Sequence, residues 1–294
     1  MQMIDTIRWL KMAAVGLTAL AFLLALGTWA GVSNFGASDA SVSDLTGSSA
    51  VLFLLAFLLA SSVLTAFAPV HIPRLIFLCG IFPLLVGWRI AALFSLQWIV
   101  VVCAIVFLIF AGILVCIAVH DLRADTQPGR AKTTLPMIQL AFVRLYIGLD
   151  LVPHFTEKLF AGPQTRGEDV AAFQALGVSD PLQFVLLAGA IECAAALGVG
   201  LGVLTRLACF LTVIYLMVAT IMGHHFSLGF IWASPGGGWE YPMLWSVLIL
   251  SFVVGGGRWM SLDEVISEHF RLPRWIKALM GDVAAHGATR VERA

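Results

Sequence analysis

Charged and imidazole side chains stand inside segments that are otherwise apolar enough to cross a bilayer, and any chemistry this chain does should involve them. The stretch from Arg144 to Lys158 holds five: Arg144, Asp150, His154, Glu157 and Lys158. Glu192 lies in the next apolar run, His224 and His225 close the one after, and Glu240-Tyr241 opens the last. An ionisable group at membrane depth costs about 2.5–3.5 kcal/mol on insertion scales. Such groups persist where they pair, line a wet cavity or react. A carboxyl removed from water, as Glu192 would be, suits proton exchange. Arg144 and Lys158 would attract an anion, and His154 or His224 could hydrogen-bond a bound molecule.

Structural readings of the same residues stand beside these. Arg144 and Glu192 equally suit a buried ion pair joining two helices. His224-His225 suits a helix end at the membrane interface. Neighbouring helical residues point about 100° apart, so no shared metal site is expected. The order of residues gives neither a His-Glu-x-x-His motif nor a Ser/His/Asp arrangement, and the glycines before Trp239 lack the strand and the Lys-Ser/Thr of a phosphate loop.

These residues need helices to position them. The spacing 150, 154, 158 puts Asp150, His154 and Lys158 on one helical face, although Pro153 should distort the turn. Ala190, Ala194, Gly198 and Gly202 recur every four residues, which predicts a small-residue stripe for close helix contact. The 156–182 segment reads as a loop, and Ser234–Glu240 as a flexible glycine-rich loop able to cover a cavity. The expected site is a single polar cavity in the outer half of the second bundle.

Composition sets the class. Of 294 residues, 60% are hydrophobic and 12% charged, and the mean hydropathy is +0.97; a soluble domain is about 25% charged. The chain is thus expected to be an all-α polytopic membrane protein. Seventeen basic and seventeen acidic residues give no basic face for nucleic acid. No polar stretch is long enough to build a separate soluble domain. Cys79, Cys103, Cys116, Cys193 and Cys209 all fall in apolar runs without a Cys-x-x-Cys pair and read as small hydrophobes. Arg8 and Lys11 precede an apolar run from Met12 to about Trp29, longer than the 7–15 residues of a signal peptide, so a retained first helix is expected.

About eight spans are expected, at 10–31, 50–68, 73–94, 97–119, 136–155, 183–204, 207–225 and 241–257, each near the roughly 20 residues a bilayer requires. Lys and Arg collect on one side (Arg8, Lys11, Arg74, Arg123, Arg130, Lys132, Arg206, Arg258), while the 32–49 loop carries only Asp39 and Asp44. Both termini are therefore expected in the cytoplasm, with the protein in the cell inner membrane. The polar linker from Asp121 to Leu135 divides the chain into two groups of four helices: 1–135, of unassigned role but suited to scaffold or partner docking, and 136–265. Residues 266–294 form a cytoplasmic tail. Ser261-Leu-Asp-Glu264 reads as a capping box, and Trp275 with Lys277 suits a tail along the headgroups.

The second half also resembles a known family. Arg144 and Gly148, Glu157-Lys158, Gly189-x-x-Glu192, the run Leu-Gly-Val-Gly-Leu-Gly-Val-Leu-Thr-Arg206, Gly-Gly-Gly-Trp-Glu240-Tyr241 and Gly-Gly-Gly-Arg258-Trp-Met-Ser261-Leu-Asp263 resemble, in order and spacing, the DoxX/DoxD family of four-helix membrane proteins over about 140–265. The resemblance places Arg144, Lys158, Glu192 and Glu240 at the family's charged positions; residues 1–135 depart from its compact form.

That resemblance implies a membrane subunit of a quinone-linked oxidoreductase acting at the outer face on a small sulfur compound such as thiosulfate or a thiol. On the matched positions Glu192, Arg144 and Lys158 would be catalytic and Glu240 would contact the quinone; a catalytic His154 and quinone contacts from His224 and Asp150 rest on the expected shared cavity alone. With no haem or flavin motif in the sequence, a partner subunit of a redox complex is expected beside the lipid bilayer and the small-molecule substrate. The alternatives are a small-solute or metal carrier and a non-catalytic assembly subunit.

Overall fold

The computed structural model describes residues 2–31, 49–94, 96–124, 133–160 and 163–281, which form helices and turns with no strand among them. The helices are α1 (Gln2–Trp29), α2 (Ser49–Phe67), α3 (Pro73–Phe94), α4 (Gln97–Arg123), α5 (Leu135–Phe160), α6 (Pro163–Ala175), α7 (Pro181–Ala195), α8 (Thr205–Met222), α9 (Glu240–Gly255), α10 (Leu262–His269) and α11 (Arg274–Met280). Six of them, α1, α3, α4, α5, α7 with its continuation to Gly200, and α8, are long and apolar enough to cross a bilayer. The apolar parts of α2 and α9, Val51–Phe67 and Glu240–Gly255, are shorter. Every expected span is thus a helix, and the protein is an integral membrane protein. Asp39, Asp44, Arg130, Lys132 and the tail from 282 lie outside the described residues.

The chain forms two compact units, 1–134 with 152–169, and 135–151 with 170–294. In the first, α1 packs on α2 and α4, α2 on α3, and α3 on α4, closing a ring of four helices. The buried residues of α1 are Ile7, Lys11, Ala14, Thr18, Ala21, Ala25 and Thr28, alternating steps of three and four. That 3.5-residue period is the seam of a left-handed bundle. Its residues are mostly small, as close helix contact without a hydrophobic driving force requires. The Thr18 hydroxyl donates to the Ala14 carbonyl at 2.7 Å, so it enters the seam without an unmet hydrogen bond.

Helices α3 and α4 run antiparallel in close register. Methyl groups added at Gly80 and Gly87 would lie 1.9 Å from Phe110 Cζ and 2.8 Å from Cys103 Sγ. One pair of glycines seven apart thus receives two larger residues, also seven apart. At one end of this unit Lys11 donates to the Ala68 carbonyl just past α2, and Arg74 pairs with Asp121, which His120 Nδ1 approaches at 3.2 Å. At the other end Arg89 of α3 meets Glu157 of α5 at 3.0 Å. Phe160 stacks on Phe53 at 5.8 Å and packs against Phe57 and Phe155.

Three expectations about local structure change. The 156–182 segment is not all loop: α5 runs through Pro153 to Phe160, and Pro163 opens α6, a first-turn position where the missing N–H costs nothing. The span expected at 183–204 leaves α geometry at Ala196–Gly200, a single π-turn. The expected small-residue stripe does not form as one face. Val185, Ala188, Gly189, Glu192 and Ala195 are the buried residues of α7, while Ala190 and Ala194 are exposed. A strict four-residue repeat drifts about 40° per step around a 3.6-residue helix, and the π-turn re-aims the residues after it. Only Gly198 and Gly202 make tight contacts, with Ala208 and with Ser261.

Candidate functional site

The second unit carries two polar constellations. One is built around Arg144, whose residue is completely buried. Its Nη1 donates to the carbonyls of Gly200 at 2.5 Å and Val199 at 3.3 Å, and its Nη2 donates to the Met260 carbonyl. The guanidinium fork thereby ties the π-turn after α7 to the turn before α10. Met260, at φ 59°, and Leu204, at φ 46°, both hold left-handed backbone, a conformation that persists only where surroundings fix it.

Asp263 supplies much of that fixing. Its Oδ1 accepts from Leu204 N at 2.8 Å, and its Oδ2 from Thr205 N at 2.8 Å and Thr205 Oγ1 at 2.6 Å. A carboxylate thus caps the start of α8 from a distant part of the chain, where the helix dipole favours negative charge. Burial raises the Asp263 carboxyl above its ordinary range, opposed by the hydrogen bonds from Thr205 and Leu204 and by the charge of Arg144. Ser261 accepts from Glu264 N at 3.1 Å, and Glu264 Oε2 accepts from Met260 N at 3.1 Å, so the expected helix cap at Ser261 is present. Leu262 N and Asp263 N donate to the carbonyls of Leu201 and Gly202, both at 2.9 Å.

The ion pair between Arg144 and Glu192 is therefore not formed: the arginine is spent on main-chain carbonyls. Glu192 belongs to the second constellation. It occupies the inner seam of α7, buried, and accepts a 2.7 Å hydrogen bond from the Tyr215 hydroxyl of α8. Around the pair the outer faces of both helices are apolar and exposed, with Leu187 and Ile191 on α7 and Leu211, Ile214 and Val218 on α8. A buried acid and a half-buried phenol thus lie between helices whose exposed faces are apolar.

Beyond Tyr215, α8 ends at Met222, and two residues on His224 is exposed and left-handed at φ 58°. His225 is the built-in member of the pair: its Nδ1 donates to the Gly237 carbonyl at 2.8 Å and its ring lies 5.5 Å from Trp232. Glu240, in the first turn of α9, accepts from Trp232 N at 3.1 Å. The segment expected as a flexible cover is folded, since Gly238, Trp239 and Glu240 donate main-chain hydrogen bonds to Ile231, Gly229 and Phe230.

The remaining candidates lie along α5. Asp150, half-buried, belongs to the second unit, whereas His154, exposed, and Lys158, half-buried, belong to the first. Lys158 Nζ donates to the His154 carbonyl at 3.3 Å. Within the second unit the structure brings together Glu192 with a phenol, and Glu240 with the His225–Trp232 turn. Sequence reading missed Tyr215, Thr205 and Asp263. Tyr215 is one of three tyrosines in the chain and lies inside an apolar span, a signal that could have been used. Among the described residues no group of three or more His, Cys, Asp or Glu side chains is placed to hold a metal ion.

A family model described as DoxX matches residues 139–225, from within α5 to just past α8. An uncharacterized protein of Haemophilus influenzae is 30% identical over 125 residues, which is 42% of this chain and 88% of that protein. No solved structure gives a significant match.

Proposed function

The chain belongs to the DoxX family of integral membrane proteins, and on that premise we propose that it is the membrane subunit of a quinone-linked oxidoreductase that oxidises a small sulfur compound, thiosulfate or a thiol, at the outer face of the inner membrane. The observation that carries the reading is the hydrogen bond from Tyr215 to the buried Glu192 beneath a lipid-facing surface. These residues fit a quinone: the Tyr215 hydroxyl holds the Glu192 carboxyl in place, that carboxyl would exchange a proton with a ring oxygen, and the apolar flanks admit a lipophilic ring from the bilayer. When bound, the quinone supplies a two-electron, two-proton acceptor. Joining two thiols through a new sulfur–sulfur bond releases two electrons and two protons; joining two thiosulfates releases two electrons only, and the two protons are then drawn from water. Tyr215 orients and Glu192 holds the proton. Arg144 positions the helices; His225 and Glu240 hold the outer turn in which His224 is exposed.

The test is reduction of a short-chain quinone by the purified protein with thiosulfate or a simple thiol, comparing wild type with Glu192→Gln and Tyr215→Phe. The expected result is a rate reduced about a hundredfold in Glu192→Gln, the usual scale for a lost acid–base group. Equal rates in all three would sink the assignment. The assembly-subunit reading has its own support in Arg144, whose charge is committed to the fold; it predicts that Glu192→Gln changes stability alone.

A further inference from the structure

The last described segment of the second unit leaves α9 and returns to it. Gly256, just past α9, packs backbone to backbone on Gly281, just past α11: a methyl added at Gly256 would stand 2.8 Å from the Gly281 Cα. Both glycines have positive φ, 72° and 93°. Arg206, in the first turn of α8, donates to the carbonyls of Val254 at 2.8 Å and Ala278 at 3.4 Å. Between these ties, Leu262 and Asp263 are hydrogen-bonded to Leu201 and Gly202. Residues 257–281 are thereby held, at both ends and early in between, at the level where α7 gives way to α8 and where α9 stops. For helices that cross a bilayer, that level is the boundary between hydrocarbon and headgroups.

From this pinned segment Phe270 and Trp275 project, 64% and 67% exposed. Arg271 and Arg274 beside them are exposed too, and neither has a hydrogen bond or ion pair among the described residues. Of the segment's three acids, Asp263 is committed to Leu204 and Thr205 and Glu264 to Met260, and Glu268 is exposed; the stretch 270–275 itself holds two arginines and no acid. Exposed aromatic rings interleaved with exposed arginines at that depth match an interfacial anchor, and guanidinium groups complement phosphate. We propose that Phe270–Trp275 is a binding surface for anionic phospholipid headgroups of the bilayer the chain crosses. Arg271 and Arg274 take the phosphate, while Phe270 and Trp275 enter the acyl boundary.

The proposal is tested on the purified full chain in neutral detergent, titrated with short-chain phosphatidylglycerol and with short-chain phosphatidylcholine, reading affinity from the rise in unfolding temperature. Wild type should prefer phosphatidylglycerol. The variant Arg271→Gln/Arg274→Gln should lose roughly twentyfold in that affinity at low salt, with phosphatidylcholine unchanged, and raised salt should erase the preference in wild type. Trp275→Ala should weaken both lipids alike. The idea is overturned if wild type binds the two lipids equally, or if the double variant keeps the preference.

Discussion

Arg144 and Met260 stand 116 residues apart in the chain and are joined by a hydrogen bond from the guanidinium Nη2 to the main-chain carbonyl. With Gly200 and Val199 on the other arm, the fork reaches three acceptors that a compact ammonium group could not reach together. Arg144→Lys should therefore destabilise nearly as much as Arg144→Met, because each leaves buried carbonyls without a donor. At about 1–3 kcal/mol for an unmet buried group, the loss should be about 3 kcal/mol for either variant. Thermal unfolding in detergent checks this; a Lys variant as stable as wild type would mean that charge, not the fork, matters.

Asp263 gives a prediction with a sign. Burial raises its carboxyl above the ordinary value, so the folded protein holds a proton over a range of pH where the unfolded chain has released it. The stability contributed by the protonated form is fully present below about pH 3.9 and is lost as pH rises through the folded value. Asp263→Asn should flatten that dependence. It should also cost about 1–2 kcal/mol at neutral pH, because an amide nitrogen must face one of the donors that Oδ1 and Oδ2 now accept. Paired stability–pH curves for wild type and variant isolate this group from the other carboxyls.

The helices were legible because a bilayer forces apolar runs of fixed length, and each expected span is a helix. Partners were less so. Arg144 reads as a charge seeking a charge, since its true acceptors are carbonyls that every residue carries and no composition reveals. Asp263 reads as part of a helix start, although its oxygens serve a helix nearly sixty residues earlier. Glu192 stands out as unusual in the sequence, but its partner Tyr215 passes for a span aromatic until the helices are placed side by side. Arg89 and Glu157 also stay unconnected in the sequence, because their meeting depends on the end of α5 packing with α3.

Glycines around the Arg144 knot separate space from conformation. At Gly202, φ is 72° and an added methyl would lie 2.6 Å from Ser261 Cβ and 2.8 Å from Arg144 Nη1. Gly202→Ala meets both penalties and should cost about 2 kcal/mol or more. Gly255, in α9, has open space around an added methyl, so Gly255→Ala should be neutral or slightly stabilising. Unfolding temperatures of the two variants decide the matter, and equal shifts would remove Gly202 from the knot.

Tyr215→Phe removes one hydroxyl and one hydrogen bond, that to Glu192. Hydrogen bonds between membrane helices average about 0.6 kcal/mol, so stability should fall by less than 1 kcal/mol while quinone reduction falls severalfold. A double-mutant cycle with Glu192→Gln should give a coupling energy of that small size. A large stability loss without any change in rate would place the pair among structural contacts instead.

At the end of α5 two contacts compete to explain why 152–160 packs with the first unit, and magnitudes choose between them. The Arg89–Glu157 pair is 3.0 Å long, but the Glu157 side chain is 44% exposed, and exposed pairs contribute at most about 1 kcal/mol. Phe160 instead inserts among Phe53, Phe57 and Phe155 and packs on the core formed by Val51, Leu54 and Ile99. Truncating such a ring costs about 3 kcal/mol when buried, and somewhat less for a half-buried one. Phe160→Ala should therefore lower the unfolding temperature more than Glu157→Gln, and should raise protease cleavage or hydrogen exchange in 152–160 selectively. If Glu157→Gln proves the more damaging, the ion pair governs the attachment and the aromatic cluster only fills space around it.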